Sequence, residues 1–184
     1  MGSIAVPRTE VPPPGGSLVL RGVVAVPASE DMTSSRDCAG IPLKVESQHG
    51  ATADEMVAVT PVSDGRYLVR RSPGFFRGIA AGDVIDYDDQ NKSAKVVKRG
   101  GNIAVQVFHV GISGDIIESF KREAVNAGGR IDGELDRLVV LTFPVGFPAI
   151  ESLLAVLPED GVEWEYGNVF DEQGTPLAWW ERDE

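Results

Sequence analysis

Apolar positions along this chain fall into two rhythms. Between residues 41 and 100 they come in short alternating runs. Ile41-Pro42-Leu43-Lys44-Val45-Glu46 is the first, and Met56-Val57-Ala58-Val59-Thr60-Pro61-Val62 follows. Tyr67-Leu68-Val69, Val84-Ile85-Asp86-Tyr87 and Lys95-Val96-Val97-Lys98 complete the set. Successive strand side chains point to opposite faces, so such alternation predicts half-buried strands. The breaks between runs carry turn chemistry. Ser63-Asp64-Gly65 predicts a hairpin, because Asp-Gly readily takes positive φ, and Asp88-Asp89-Gln90-Asn91 predicts a solvated turn. Short strands at about 8–12-residue spacing predict a small antiparallel, barrel-like sheet.

From Asn102 onward helical periodicity joins in. Ile103-Ala104-Val105-Gln106-Val107-Phe108-His109-Val110 predicts a strong strand. Ile116, Phe120 and Ala124 recur every four residues with Ile117 alongside, which gives a helix one apolar face. Asp115 is the expected N-cap and Gly128-Gly129 the stop. Leu138-Val139-Val140-Leu141-Thr142-Phe143 predicts a second strand, paired through the 130–136 region. Residues 147–157 predict a second helix with Pro148 in its first turn, and Val162-Glu163-Trp164-Glu165-Tyr166 a last alternating strand. The order of strands and helices predicts a ferredoxin-like split βαβ sheet. Helices on one face would leave the other free for a partner or ligand.

The expected architecture is therefore α+β: a small antiparallel β-barrel-like subdomain over residues 41–100, then a ferredoxin-like α+β subdomain over residues 101–170. Residues 1–40, rich in proline, glycine and serine, read as a flexible arm with one candidate strand at residues 18–26. Residues 171–184 form an acidic tail holding the apolar Leu177-Ala178-Trp179-Trp180.

The stretch joining the third and fourth strands carries a family likeness. Gly65-Arg66-Tyr67-Leu68-Val69, Ser72-Pro73-Gly74-Phe75-Phe76, Gly78-Ile79-Ala80-Ala81-Gly82-Asp83-Val84-Ile85 and Val97-Lys98-Arg99-Gly100-Gly101-Asn102, with Val105, resemble the pattern of domain-of-unknown-function family 4265 over roughly residues 41–170. Gly74 departs from that pattern by separating Pro73 from the aromatics. The resemblance implies the family's fold and a bacterial source. It brings no catalytic residues.

Composition changes this picture in one respect, which is charge. At 42% hydrophobic and 24% charged the chain has the material for a globular core. Its net charge of −11 is not evenly spread. Residues 41–100 carry nine basic and eight acidic side chains, whereas residues 101–184 carry five basic and sixteen acidic. That field repels a phosphate backbone and attracts basic proteins, so nucleic acid is disfavoured as a partner. No apolar run reaches the roughly 20 residues needed to cross a bilayer. Met1–Arg8 shows no charged-then-apolar leader pattern, and Cys38 is the one cysteine. A cytoplasmic location is the expectation.

The chemical inventory is thin. Two histidines, His49 and His109, with one cysteine do not compose a structural zinc site. Asp83, Asp86, Asp88 and Asp89 lack the EF-hand glycine and closing glutamate, and Gly82-Asp83 reads as a turn whose carboxylate accepts backbone amides. Gly74, Gly78 and Gly82 are followed by a strand and by no Gly-Lys-Ser/Thr, so they make no phosphate loop. No cofactor or metal is implied. The residues singled out for binding are Arg70, Phe75, Phe76, Arg77, Asp83, His109, Trp179 and Trp180. Phe75 and Phe76 must point to opposite sides if extended, so either one is exposed for contact or one plugs the barrel while the other lies between the subdomains. Trp179 and Trp180 either dock back on the body or meet a partner.

Two functional classes follow. One is a non-catalytic interaction module, immunity-type or regulatory, whose acidic half meets a basic protein. The other is a small-molecule-binding protein or enzyme with a pocket between the subdomains, using Arg70, Arg77, His109 or Asp83. Convergence of those groups in one deep cavity would favour the second.

Overall fold

A computed structural model of the chain describes residues 38–46, 50–144, 146–171 and 173–181. The candidate strand at residues 18–26 and His49 lie outside them. The fold is α+β, with two antiparallel sheets and two helices. The first sheet is a five-stranded meander: β1 (Ala39–Glu46), β2 (Thr52–Ser63), β3 (Arg66–Val69), β4 (Val84–Asp88) and β5 (Ser93–Lys98), in that spatial order. Alternation decides which face is buried. Ile41 and Leu43 of β1, Val57 and Val59 of β2, Val69 and Ile85 turn inward with Ile79 into one core. The hairpin at Asp64-Gly65 forms, with positive φ at Gly65 (69°) but not at Asp64, and with a register shift between Pro61 and Ser63 of β2. β1 begins at Ala39, inside the stretch expected to be arm.

The strand ladder of this sheet does not close. β1 and β5 remain its two edges, and the Lys44 amide of β1 donates to the Lys92 carbonyl, in the turn just before β5, at 2.8 Å. Pro42 has no amide to offer along that edge. Its carbonyl instead accepts the Tyr87 hydroxyl at 3.1 Å.

The second sheet holds β6 (Asn102–His109), β7 (Arg130–Leu135), β8 (Leu138–Pro144) and β9 (Val162–Tyr166), in the order β7-β8-β6-β9. α1 (Gly114–Asn126) connects β6 to β7, and α2 (Phe147–Leu154) connects β8 to β9. Both helices pack on one face. Ile117, Phe120 and Ala124 of α1 and Phe147, Ile150 and Leu154 of α2 meet Ile103, Val105, Val107, Val139, Leu141 and Phe143 in the larger core. The α1 N-cap is Ser113, not Asp115, which lies within the first turn. There its carboxylate still complements the positive end of the helix dipole. Gly128, at φ 87°, ends α1, and the Gly129 amide bonds back to the Ala124 carbonyl at 2.9 Å. α2 stops at Leu154, three residues short of the sequence expectation.

The face of this sheet opposite the helices is not free. Ala104, Gln106 and Phe108 of β6 and Leu138, Val140 and Thr142 of β8 are buried there too. The connection between β3 and β4, residues 70–83, lies on it, with Phe75 packed against Phe108, Leu138 and Val140. The alternation argument identified an available face and missed the chain's own loop as its occupant.

The crossing from β5 to β6 fits tightly under that loop. A Cβ built on Gly100 would lie 2.2 Å from the Gly82 carbonyl carbon and 2.6 Å from its Cα. Backbone cannot yield as a side-chain tip can. Gly100→Ala is expected to cost about 3 kcal/mol in urea unfolding. Gly114→Ala, with nothing within 4 Å of the added carbon, should leave stability unchanged or raise it by up to about 1 kcal/mol. Equal behaviour of the two variants would contradict the close approach.

Candidate functional site

The loop of residues 70–83 brings together the first sheet, the second sheet and the C-terminal segment, so the candidate residues are best followed from it. Its near end is fastened by a relay of hydrogen bonds. The Ala81 amide donates to Ser72 Oγ at 3.0 Å. Ser72 Oγ lies 2.5 Å from Thr142 Oγ1, and Thr142 in turn donates to Asp132 Oδ2 at 2.5 Å. Each hydroxyl accepts once and donates once, the arrangement in which a chain of such bonds reinforces itself. Asp132 also accepts the Ser72 amide at 2.6 Å and the Arg130 Nε at 2.6 Å. Arg130 reaches on to the Arg70 carbonyl at 2.9 Å. The loop is therefore stitched to the second sheet through the buried Ser72, Thr142 and Asp132, with the exposed Arg130 at the outer end.

The middle of the loop rests on Glu55 of β2. Its carboxylate accepts three consecutive amides: Gly74 at 2.6 Å, Phe75 at 3.1 Å and Phe76 at 2.7 Å. Burial raises the Glu55 carboxyl above its ordinary value, while the three amides pull it back down. The chain bends at Gly74 and Phe75, so that three successive amides reach one carboxylate, and the two rings part: Phe75 goes to the second sheet and Phe76 to the core of the first. Both are half-buried.

The far end of the loop turns on Gly82, at φ 93°, and is tied by Asp83. This side chain has no solvent exposure. It accepts the amides of Ala80 at 3.0 Å and Gly100 at 2.8 Å, and pairs with Arg99 Nη1 at 3.0 Å. Burial raises its carboxyl above the ordinary value; the amides and Arg99 act in the opposite direction. The Arg99 guanidinium lies 5.4 Å from the Trp179 ring centroid, a cation–π distance. Trp179 Nε1 donates to the Asn168 carbonyl at 2.8 Å. Trp180 packs edge-on to Phe147 at 5.2 Å. The C-terminal aromatic pair thus docks on the body, in a single 3-10 turn, Trp179–Glu181.

The polar candidates are not brought together. Asp83 pairs with Arg99, and Arg77 with Glu165 of β9. Arg70 is exposed and is held by its backbone. His109 is half-exposed at the end of β6, with its amide on the Arg137 carbonyl. A polar groove of about 480 Å³ opens elsewhere, between Lys44, Asp54, Gln90 and Lys92, and none of the candidates lines it. Among the described residues no group of three or more His, Cys, Asp or Glu side chains is placed to hold a metal, and no helix is long and apolar enough to cross a membrane.

Sequence reasoning passed over Glu55, Ser72, Asp132 and Gln106. Glu55 carried a signal, since alternation sets it on the buried face with Val57 and Val59, whereas Asp132 lies in a segment whose strand pattern is broken by a register shift. Gln106 carried a usable signal: an amide in the middle of a strand that is otherwise all apolar must find a buried partner. It donates through Nε2 to the Pro73 carbonyl at 3.1 Å.

A family model described as Domain of unknown function (DUF4265) matches residues 54–166, a span that runs from β2 to β9 and includes the whole loop. No curated protein matches the chain. Among solved structures, one titled "Novel crystal structure of a hypothetical protein from Neisseria gonorrhoeae" superposes with a TM-score of 0.56 at 14% identity. It covers 71% of this chain and 94% of that one. At that identity the likeness is one of fold alone.

Two outcomes follow from this geometry. Glu55→Ala leaves three loop amides without their acceptor and should cost about 2–4 kcal/mol in urea unfolding. Loss of less than about 0.5 kcal/mol would show that water replaces the carboxylate. The second concerns pH. A carboxyl raised in the folded state favours folding while protonated, and that contribution is lost as pH rises from the ordinary value near about 4 through the raised one. Stability of the wild type minus that of Asp83→Asn should therefore fall as pH rises across this interval. A difference that climbs with pH would reverse the sign of the argument.

Proposed function

The chain belongs to the DUF4265 family, and from that premise we propose that it is a non-catalytic interaction module presenting an acidic surface to a basic protein partner. In a bacterial cytoplasm such a module would act as an immunity-type or regulatory protein. We read its first sheet as barrel-like, supported by the Lys44–Lys92 bond between β1 and the turn just before β5. We read the second as a ferredoxin-like split βαβ, supported by the order β7-β8-β6-β9 with a helix after β6 and another after β8.

The observation that carries the reading is how charge is used in the second unit. Its few cations are mostly engaged: Lys121 pairs with Glu118 and Glu134, Arg130 with Asp132, and Arg137 with Asp136. Asp115, Glu123, Glu159 and Asp160 are exposed and enter no ion pair among the described residues. A surplus of that kind speeds encounter with a basic surface. Against a pocket between the two units stands the loop, whose side chains and amides occupy their junction and pair with one another.

The test is capture of partners by the full chain at rising salt, followed by mass spectrometry. Basic proteins should dominate the captured set, and their retention should fall steeply between low and physiological ionic strength. A variant carrying Glu123→Gln, Glu159→Gln and Asp160→Asn should retain less of them at low salt. Retention indifferent to both salt and these substitutions would overturn the reading.

A further inference from the structure

β9 is an edge strand. Its pairing with β6 fixes which groups look outward. The Gly167 amide donates to the Ala104 carbonyl and the Val110 amide to the Gly161 carbonyl, so odd-numbered residues of this stretch turn their backbone toward β6. Val162, Trp164 and Tyr166 therefore aim their amides and carbonyls away from the sheet. No backbone group among the described residues pairs with them there. β9 carries neither proline nor bulge, two of the devices that blunt an edge. Both occur on the edges of the first sheet: Pro42 on β1, and on β5 a register shift that leaves Val97 unpaired between Val96 and Lys98.

The side chains along this edge alternate in kind. Val162, Trp164 and Tyr166 face the helices and belong to or pack on the larger core. Glu163 and Glu165 face the loop, opposite Phe108 and Gln106 of β6. That second face is short of donors. Gln106 is only 1% exposed, and its Oε1 has no hydrogen-bond partner. Glu163 Oε2 is sealed from solvent and is likewise unpartnered. Glu165 does have a partner, the Arg77 guanidinium supplied by the loop. The chain itself thus places one guanidinium on this row of acceptors and leaves the remainder unmatched.

We propose that the β9 edge is where a basic partner docks, by adding an extended segment as a fifth strand to the second sheet. The inference rests on the reading of the protein as an acidic interaction module and names the surface that does the binding. Backbone groups of the incoming segment pair with Val162, Trp164 and Tyr166. Period-two geometry then puts its residues opposite Glu163 and Glu165 on the acidic face, and the residue between them beside Trp164. The segment recognised is one that alternates arginine or lysine with apolar residues. Charge complementarity selects this occupant over a second copy of the chain, whose own β9 would set glutamates against glutamates.

The probe is the peptide acetyl-(Arg-Val)3-amide, added to the full chain. Hydrogen exchange is read residue by residue by NMR, and affinity by titration. Binding should slow exchange of the Val162, Trp164 and Tyr166 amides. The double variant Glu163→Gln, Glu165→Gln should weaken it about tenfold, roughly threefold for each ion pair removed. Arg77→Ala, which frees Glu165, should strengthen it. Peptide N-methylated at alternate backbone nitrogens on the pairing edge should not bind. Absence of binding, protection confined to β1, β5 or β7, or affinity indifferent to the double variant would overturn the proposal. Salt-sensitive capture of basic proteins that survives unchanged in the double variant would defeat the β9 site while leaving the acidic-module reading intact.

Discussion

The structure depends on a loop that has to be held in place from three sides. Residues 70–83 contain little that could order them alone. They are fixed because buried acceptors wait for their amides: Glu55 on one sheet, Asp132 on the other, and Asp83 within the loop. Leaving such amides unpaired beneath protein would be costly. The loop therefore has one arrangement in which nearly every polar group is matched, and that arrangement clamps the two sheets together. Hydrophobic contact adds to it through Phe75 and Phe76, one ring for each side.

This clamp explains why the second sheet carries apolar residues on both faces. One face belongs to the helices and the other to the loop. It also explains the tight passage at Gly82 and Gly100, where two chain segments touch backbone to backbone. From there the order passes outward. Asp83 positions Arg99, Arg99 lies over Trp179, and Trp179 bonds to the Asn168 carbonyl just beyond β9. The C-terminal aromatic pair thus reports on the same junction.

Much of this architecture was legible in the residues. Alternation located the strands, the four-residue apolar spacing located α1, and Asp64-Gly65 located its hairpin. The rings of Phe75 and Phe76 do part, as expected for an extended pair, but they do so in a bent segment whose geometry is set by Glu55. What the chain did not display was long-range pairing. Alternation sets Glu55 on the face of Val57 and Val59 and Asp54, which pairs with Lys92 at the surface, on the other, but it does not reveal the three loop amides that Glu55 meets there. The hydroxyls of Ser72 and Thr142 are 70 residues apart and become a relay only when the loop is seated. A signal for the covered face was nonetheless present. The near-continuous apolar runs of β6 and β8 are what strands buried on both sides look like. The candidate residues were legible by type but not by partner: the structure places Arg70, Phe75, Phe76, Arg77 and Asp83 in the loop, Trp179 and Trp180 in the docked C-terminal turn and His109 at the end of β6, and it pairs Asp83 with Arg99 and Arg77 with Glu165.

The central claim is that the loop and both sheets form one cooperative unit. Native-state hydrogen exchange of the wild-type chain tests it most directly, by comparing the Ser72, Gly74 and Phe76 amides with those of Val105 and Val139. If the clamp holds the molecule together, all five exchange with the free energy of global unfolding. If the loop amides exchange through a much cheaper local opening while β6 and β8 stay protected, the sheets do not depend on it and the account fails.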